Sequence, residues 1–206
     1  MGSKRVGLAR VEALIENLKR DLDISQSTLS GLQAQKKAED PTYGAGLIST
    51  EVAPATYVSK LANGDIVTTI DIDLTGLKKA SDVGDVIGLD GVAGAYALQY
   101  ATATHGILYR VELTCLELPT GTNVLKDFDL ILHSSSTLAY DGDASGGESI
   151  FAATENIAKG QTMTNETVGT VTSGNYLYLC EGATSTGAAV FTAGKLTVRL
   201  YGRASF

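Results

Sequence analysis

The chain has 206 residues, enough for one domain with an appendage or two small domains. With 44% apolar and 19% charged residues it reads as globular, and 23 glycines favour many short strands and turns. The formal net charge of −7 is carried by residues 41–206, which argues against nucleic acid as the main partner.

The first element is LARVEALIENLKRDL. Leu8, Val11, Ile15, Leu18 and Leu22 follow steps of three and four, which puts them on one stripe of an amphipathic helix. Glu12 and Glu16 lie early, and Lys19 and Arg20 late, as the helix dipole favours. At 1.5 Å per residue such a helix is about 22 Å long. The heptad phase continues to Ser25, Leu29 and Leu32, but through Ser, Thr and Gly, which compete with helix. Two readings stay open: the stripe packs on its own domain, or it packs on another chain. Residues 33–46, QAQKKAEDPTYGAG, are polar with Pro and Gly and read as a linker. The expected organisation is a helical assembly arm over 1–32, a linker over 33–46 and a β-domain over 47–206.

Strand patterns fill the remainder. TYVSKLANGDIVTTIDIDL predicts a hairpin with Asn63-Gly64 in a type I′ turn. In its second arm Ile66, Ile70, Ile72 and Leu74 share a face, with Asp71 and Asp73 opposite. Farther on, Ile107, Tyr109, Val111, Leu113 and Cys115 form one apolar face against Arg110, Glu112 and Thr114. DFDLILH alternates again, SIFAATENIA is ambiguous, NYLYLCEG and AAVFTAG read as strands, and GKLTVRLYGRASF alternates Leu196, Val198 and Leu200 with Lys195, Thr197 and Arg199. Strands at this spacing, with no helical pattern between them, predict a mainly β chain: an antiparallel, jelly-roll-like β-sandwich behind an N-terminal helix.

Chemistry-bearing patterns are sparse. His105 and His133 sit at strand ends, and Ser134–Ser136 follow His133, but no nucleophile-elbow motif accompanies them. Carboxylate pairs at Asp71/Asp73, Asp127/Asp129 and Asp141/Asp143 can each share a strand face. YDGDASGGES matches the first part of a Ca²⁺ loop, so Asp141, Asp143 and Glu148 are the candidate oxygen ligands, although Ala152 stands where a bidentate Glu is needed. Cys115 and Cys180 belong to no metal-ligand spacing and are expected as buried free thiols. No cofactor motif, no secretory signal and no apolar run of about 18 residues is visible, so neither a cofactor nor a membrane is an expected partner.

The opening SKRVGLARVEALIENLKRDL, followed by a Thr/Gly/Ala-rich β-body ending in LTVRLYGRASF, resembles small virion structural proteins of marine tailed phages, of the capsid decoration or cement class. That resemblance implies a β-sandwich or jelly-roll body and an arm that engages the shell. It implies a place on the capsid surface after assembly in the host cytoplasm, with the major capsid protein and sister chains as partners, a homotrimer first. The striped helix would then be the assembly interface, zipped to sister chains or seated in a groove. Two competing functions are a tail or head-fibre appendage that binds a host surface, and a carbohydrate-active β-sandwich enzyme using a carboxylate such as Asp129.

Overall fold

The computed structural model describes residues 43–49, 52–61, 63–79, 81–124, 126–153, 155–182 and 187–204. The expected arm over 1–32, with Leu8, Val11, Ile15, Leu18 and Leu22, lies outside the described residues. All described residues fall in one compact unit, Glu39–Phe206.

The body is mainly β. A 3₁₀ turn at Ala45–Leu47 leads into β1 (Ala55–Lys60), β2 (Asp65–Asp73), β3 (Lys78–Lys79) and β4 (Tyr96–Gln99). One helical turn, α1 (Thr102–His105), precedes β5 (Ile107–Gly121). Then come β6 (Phe128–His133), β7 (Glu148–Phe151), β8 (Thr162–Asn165), β9 (Tyr176–Glu181) and β10 (Ala189–Arg203). They form two antiparallel sheets. One runs β1-β2-β10-β5-β8, with β3 also on β10; the other runs β4-β9-β6-β7.

The alternation read in β2 is the one observed: Ile66, Ile70 and Ile72 are buried together with Thr68, and Val67, Thr69 and Asp71 on the other face are half-buried. Ile70 and Ile72 join Val111 and Leu113 of β5 and Val198 and Leu200 of β10 in one core with Leu130 of β6 and Leu177 and Leu179 of β9. The two sheets therefore bury their apolar faces against a common interior, which is the main stabilising term. Strand β9 is buried along nearly its whole length. Leu177 and Leu179 face that core, while Tyr178 and Cys180 pack into a second cluster with Val86, Ala95, Ile131 and Ala144. A strand covered on both faces has no polar alternation, which is why NYLYLC reads as a continuous apolar run.

Three local expectations change. The β1–β2 hairpin exists, but its turn is not type I′. Leu61 N–H donates to the Asp65 carbonyl at 2.8 Å and Gly64 N–H to the Leu61 carbonyl at 3.1 Å. Among the described turn residues Gly64 takes positive φ, +86°, while Asn63 accepts from Asp65 N–H through its side chain at 3.1 Å. This is a three-residue loop closed by a left-handed glycine. Second, Ile107 and Tyr109 leave the expected apolar face. Tyr201 pairs with Arg110 but Gly202 with Leu108, so β5 bulges by one residue. Leu108 turns inward and Ile107 is 56% exposed. Third, residues at the end of the expected linker belong to the body: Gly44 and Gly46 N–H groups donate to the carbonyls of Tyr96 and Gly94, and Leu47 is fully buried.

Candidate functional site

The residues singled out for catalysis are engaged in local structure. His105 ends α1, is buried, accepts from Ala101 N–H through Nδ1 at 2.9 Å and stacks on Tyr100. His133 Nδ1 accepts from Ser135 N–H at 3.0 Å, while Ser135 Oγ pairs with Thr137. That closes a turn and leaves the serine hydroxyl unactivated by the imidazole. Asp71 accepts from Thr197 Oγ1 at 2.7 Å, and Asp73 from Thr75 N–H at 2.9 Å. Asp129 accepts from Ala153 N–H at 2.9 Å, and burial pushes its carboxyl above the usual carboxylate range. It fastens the segment after β7 to β6.

The candidate Ca²⁺ ligands are not brought together. Asp143 caps its own turn by accepting from Ser145 N–H at 2.7 Å. Asp141 takes positive φ, +65°. Glu148 is drawn to another segment, where Thr172 Oγ1 donates to it at 2.5 Å and Thr172 N–H at 2.8 Å. These bonds hold its carboxyl below the usual range. Among the described residues, no group of three or more His, Cys, Asp or Glu side chains is placed to hold a metal ion. Cys115 and Cys180 are free and buried, Cys115 on β5 and Cys180 on β9. Burial pushes both thiols up, which makes them poor nucleophiles. No helix among the described residues is long and apolar enough to cross a membrane.

The densest outward-facing chemistry lies on the larger sheet, where β10 runs between β2 and β5. The bulge at Tyr109 and the alternation of β10 present Tyr109, Arg110, Glu112, Arg199, Tyr201 and Arg203 on one side. Arg110 lies 3.8 Å from the centre of the Tyr201 ring, and Arg203 lies 5.2 Å from that of Tyr109. Tyr201 donates to Glu112 at 2.7 Å, and Arg110 and Arg199 flank the same carboxylate at 3.2 and 3.9 Å. Tyr109 donates to Asp65 at 3.2 Å, with Arg203 3.8 Å from that carboxylate. Burial and these acceptors push both phenols up, so they stay neutral donors. Three guanidinium groups meet two carboxylates, so the ladder is locally cationic on an acidic body. Its aromatic and arginine content is the kind enriched at protein interfaces. The signal was present in the spacing of Arg199, Tyr201 and Arg203. On β5 the outward placement of Arg110 and Glu112 was legible too, and only Tyr109 was obscured, because the one-residue bulge moves it off the apolar face.

A charged pair is buried between the sheets. Lys79 of β3 and Glu181 of β9 make direct contact between Nζ and Oε1, and their side chains are 2% and 1% exposed. No local pattern marks it, because the partners are 102 residues apart. Comparison with known proteins returns no matching family model, no matching curated protein and no matching solved structure.

Proposed function

We propose that the chain is a non-enzymatic virion structural protein, a capsid decoration or cement protein that binds and stabilises a phage head shell. The observation that carries the reading is the strand order. Taking β2, β4 and β5 to β10 as eight principal strands, one sheet runs β2-β10-β5-β8 and the other β4-β9-β6-β7. That is the order of two interlocked Greek keys, and we read the body as a jelly-roll sandwich with β1 and β3 added at its margins. Jelly rolls recur in viral capsid and lectin domains. The Arg/Tyr ladder supplies a contact surface whose side chains are already held by neighbours, so binding orders few of them. Leu8, Val11, Ile15, Leu18 and Leu22 would supply the second contact, to sister chains in a trimer or to a groove on the major capsid protein.

The deciding experiment is cryo-electron microscopy of purified particles. The expected result is density for the jelly-roll body repeated over the head lattice. Density confined to the tail, or particles lacking the chain, would overturn the proposal. The second reading, an appendage that binds a host surface, is favoured by the same fold, since jelly rolls also build lectins. It expects tail or fibre density and binding of the purified protein to cells or glycans.

A further inference from the structure

We propose that Lys79 and Glu181 condense into an intramolecular isopeptide bond that joins the β3 side of the larger sheet to β9 of the smaller one. The inference does not depend on the virion reading, because it rests on the interior of the body alone.

The geometry brings an amine and a carboxyl into direct contact in a dry place. Lys79 pairs in register with Ala189 of β10, and Glu181 pairs with Phe128 of β6. The residues are each 1% exposed. Glu181 N–H donates to the Asp85 carbonyl at 2.9 Å, which fixes the end of β9. Two further buried acids belong to segments bonded to the end of β9, since Gly182 N–H donates to the Asp127 carbonyl at 3.2 Å as Glu181 N–H does to that of Asp85. Asp127 is 5% exposed and stands just before Phe128, and Asp85 is 7% exposed. Glu181 Oε2 is buried with no hydrogen-bond partner among the described residues.

An ammonium and a carboxylate in contact differ from a neutral amine and a neutral acid by the transfer of one proton. In water the charged form wins. In a low-dielectric site both charges lose solvation, and the neutral form gains. Burial raises the Glu181 carboxyl most, and Asp127 and Asp85 raise it further, against the lowering by Lys79. A desolvated lysine amine is a competent nucleophile. Held contact replaces an encounter between two molecules, an advantage of about 10⁵–10⁸ M in effective concentration. Amide hydrolysis is driven in water largely by ionisation of the products, and that drive is weak here.

The step balances without an oxidant. The Lys79 Nζ lone pair adds to Cδ of protonated Glu181 and forms the C–N bond. A proton on nitrogen passes to the Glu181 hydroxyl, and the buried Asp127 carboxylate is the carrier we propose. The C–O bond breaks and one water leaves. Two buried charges are thereby replaced by one neutral amide, and a loop of about one hundred residues is closed covalently, which restricts the unfolded chain.

Intact-mass measurement of the full chain under denaturing conditions tests this directly. The expected mass is that of the sequence less one water, and digestion should yield a branched peptide joining position 79 to position 181. Lys79→Ala and Glu181→Ala should each carry the full, uncondensed mass. Asp127→Ala should carry a mixture, or reach the condensed mass more slowly. The wild-type measurement needs no variant to fold. A wild-type chain at full mass overturns the proposal. So does a water loss that maps to Asp90-Gly91 or Asp141-Gly142, where succinimide formation releases the same mass.

Discussion

At the scale of the residue, Asp129 separates structure from catalysis. Its Oδ1 accepts from Ala153 N–H, and burial raises its carboxyl. A carboxyl whose folded pKa lies above its unfolded value opposes folding when ionised, and that penalty is relieved as pH falls through the folded pKa. Asp129→Asn keeps an acceptor oxygen and removes the charge. Its urea midpoint at pH 7 should equal or exceed wild type, and any advantage should shrink toward pH 4. Asp129→Ala leaves the Ala153 N–H without its acceptor and should be about 1 kcal/mol less stable than the Asn variant. A strongly destabilised Asn variant would show that the ionised carboxylate itself holds this strand. The same two residues, Asp127 and Asp129, look equivalent in DFDLILH. The fold buries Asp127 almost completely and leaves Asp129 half-buried near the start of β6.

At the scale of the element, β10 is the organising strand. It pairs with β2 on one side and β5 on the other, and it also receives β3. Gly202 lets its end pass α1: a Cβ there would stand 1.9 Å from the His105 carbonyl oxygen. The obstacle is backbone on both sides, so it cannot rotate away. Gly202→Ala should cost about 3 kcal/mol or more, at the upper end of overpacking effects, read as a lower urea midpoint. Gly64→Ala meets a conformational penalty from φ of +86° and should cost about 1 kcal/mol. If the two variants lose the same stability, α1 yields more readily than this packing implies. The bulge beside Gly202 has a further consequence. It turns Leu108 inward and sets Tyr109 beside Arg110 in the ladder, so one extra residue supplies both a core contact and a surface group.

At the scale of the whole molecule, the proposal divides labour between a rigid β-body and an assembly arm. The stripe of Leu8, Val11, Ile15, Leu18 and Leu22 is where association is testable. A lone helix of about fifteen residues is marginal in water, so its apolar side needs a cover. Changing Ile15 and Leu18 together to Asp places two charges in that seam, and an unpaired buried charge is strongly disfavoured. The expected outcome is a smaller sedimenting species with an unchanged β-type circular dichroism spectrum, and loss of capsid binding. Unchanged mass together with unchanged binding would remove the assembly role. A collapsed spectrum would place the stripe in the core of its own domain.

The sequence by itself determined the class of the body and much of its interior. Period-two alternation names the same residues in any sheet that has one wet face, so Ile66, Ile70, Ile72, Val198 and Leu200 were legible before any coordinates. Turn chemistry likewise located the hairpin at Asn63-Gly64, since glycine is where positive φ is cheapest. What only the tertiary structure decided has a common cause: each case depends on partners distant in the chain. The order in which strands meet, the bulge that removes Ile107 from the core, the separation of Glu148 from Asp141 and Asp143, and the burial of Lys79 on Glu181 are all set by packing between segments. A local pattern records what a residue prefers for itself. It carries no record of which neighbour, a hundred residues away, will be pressed against it when the sheets close.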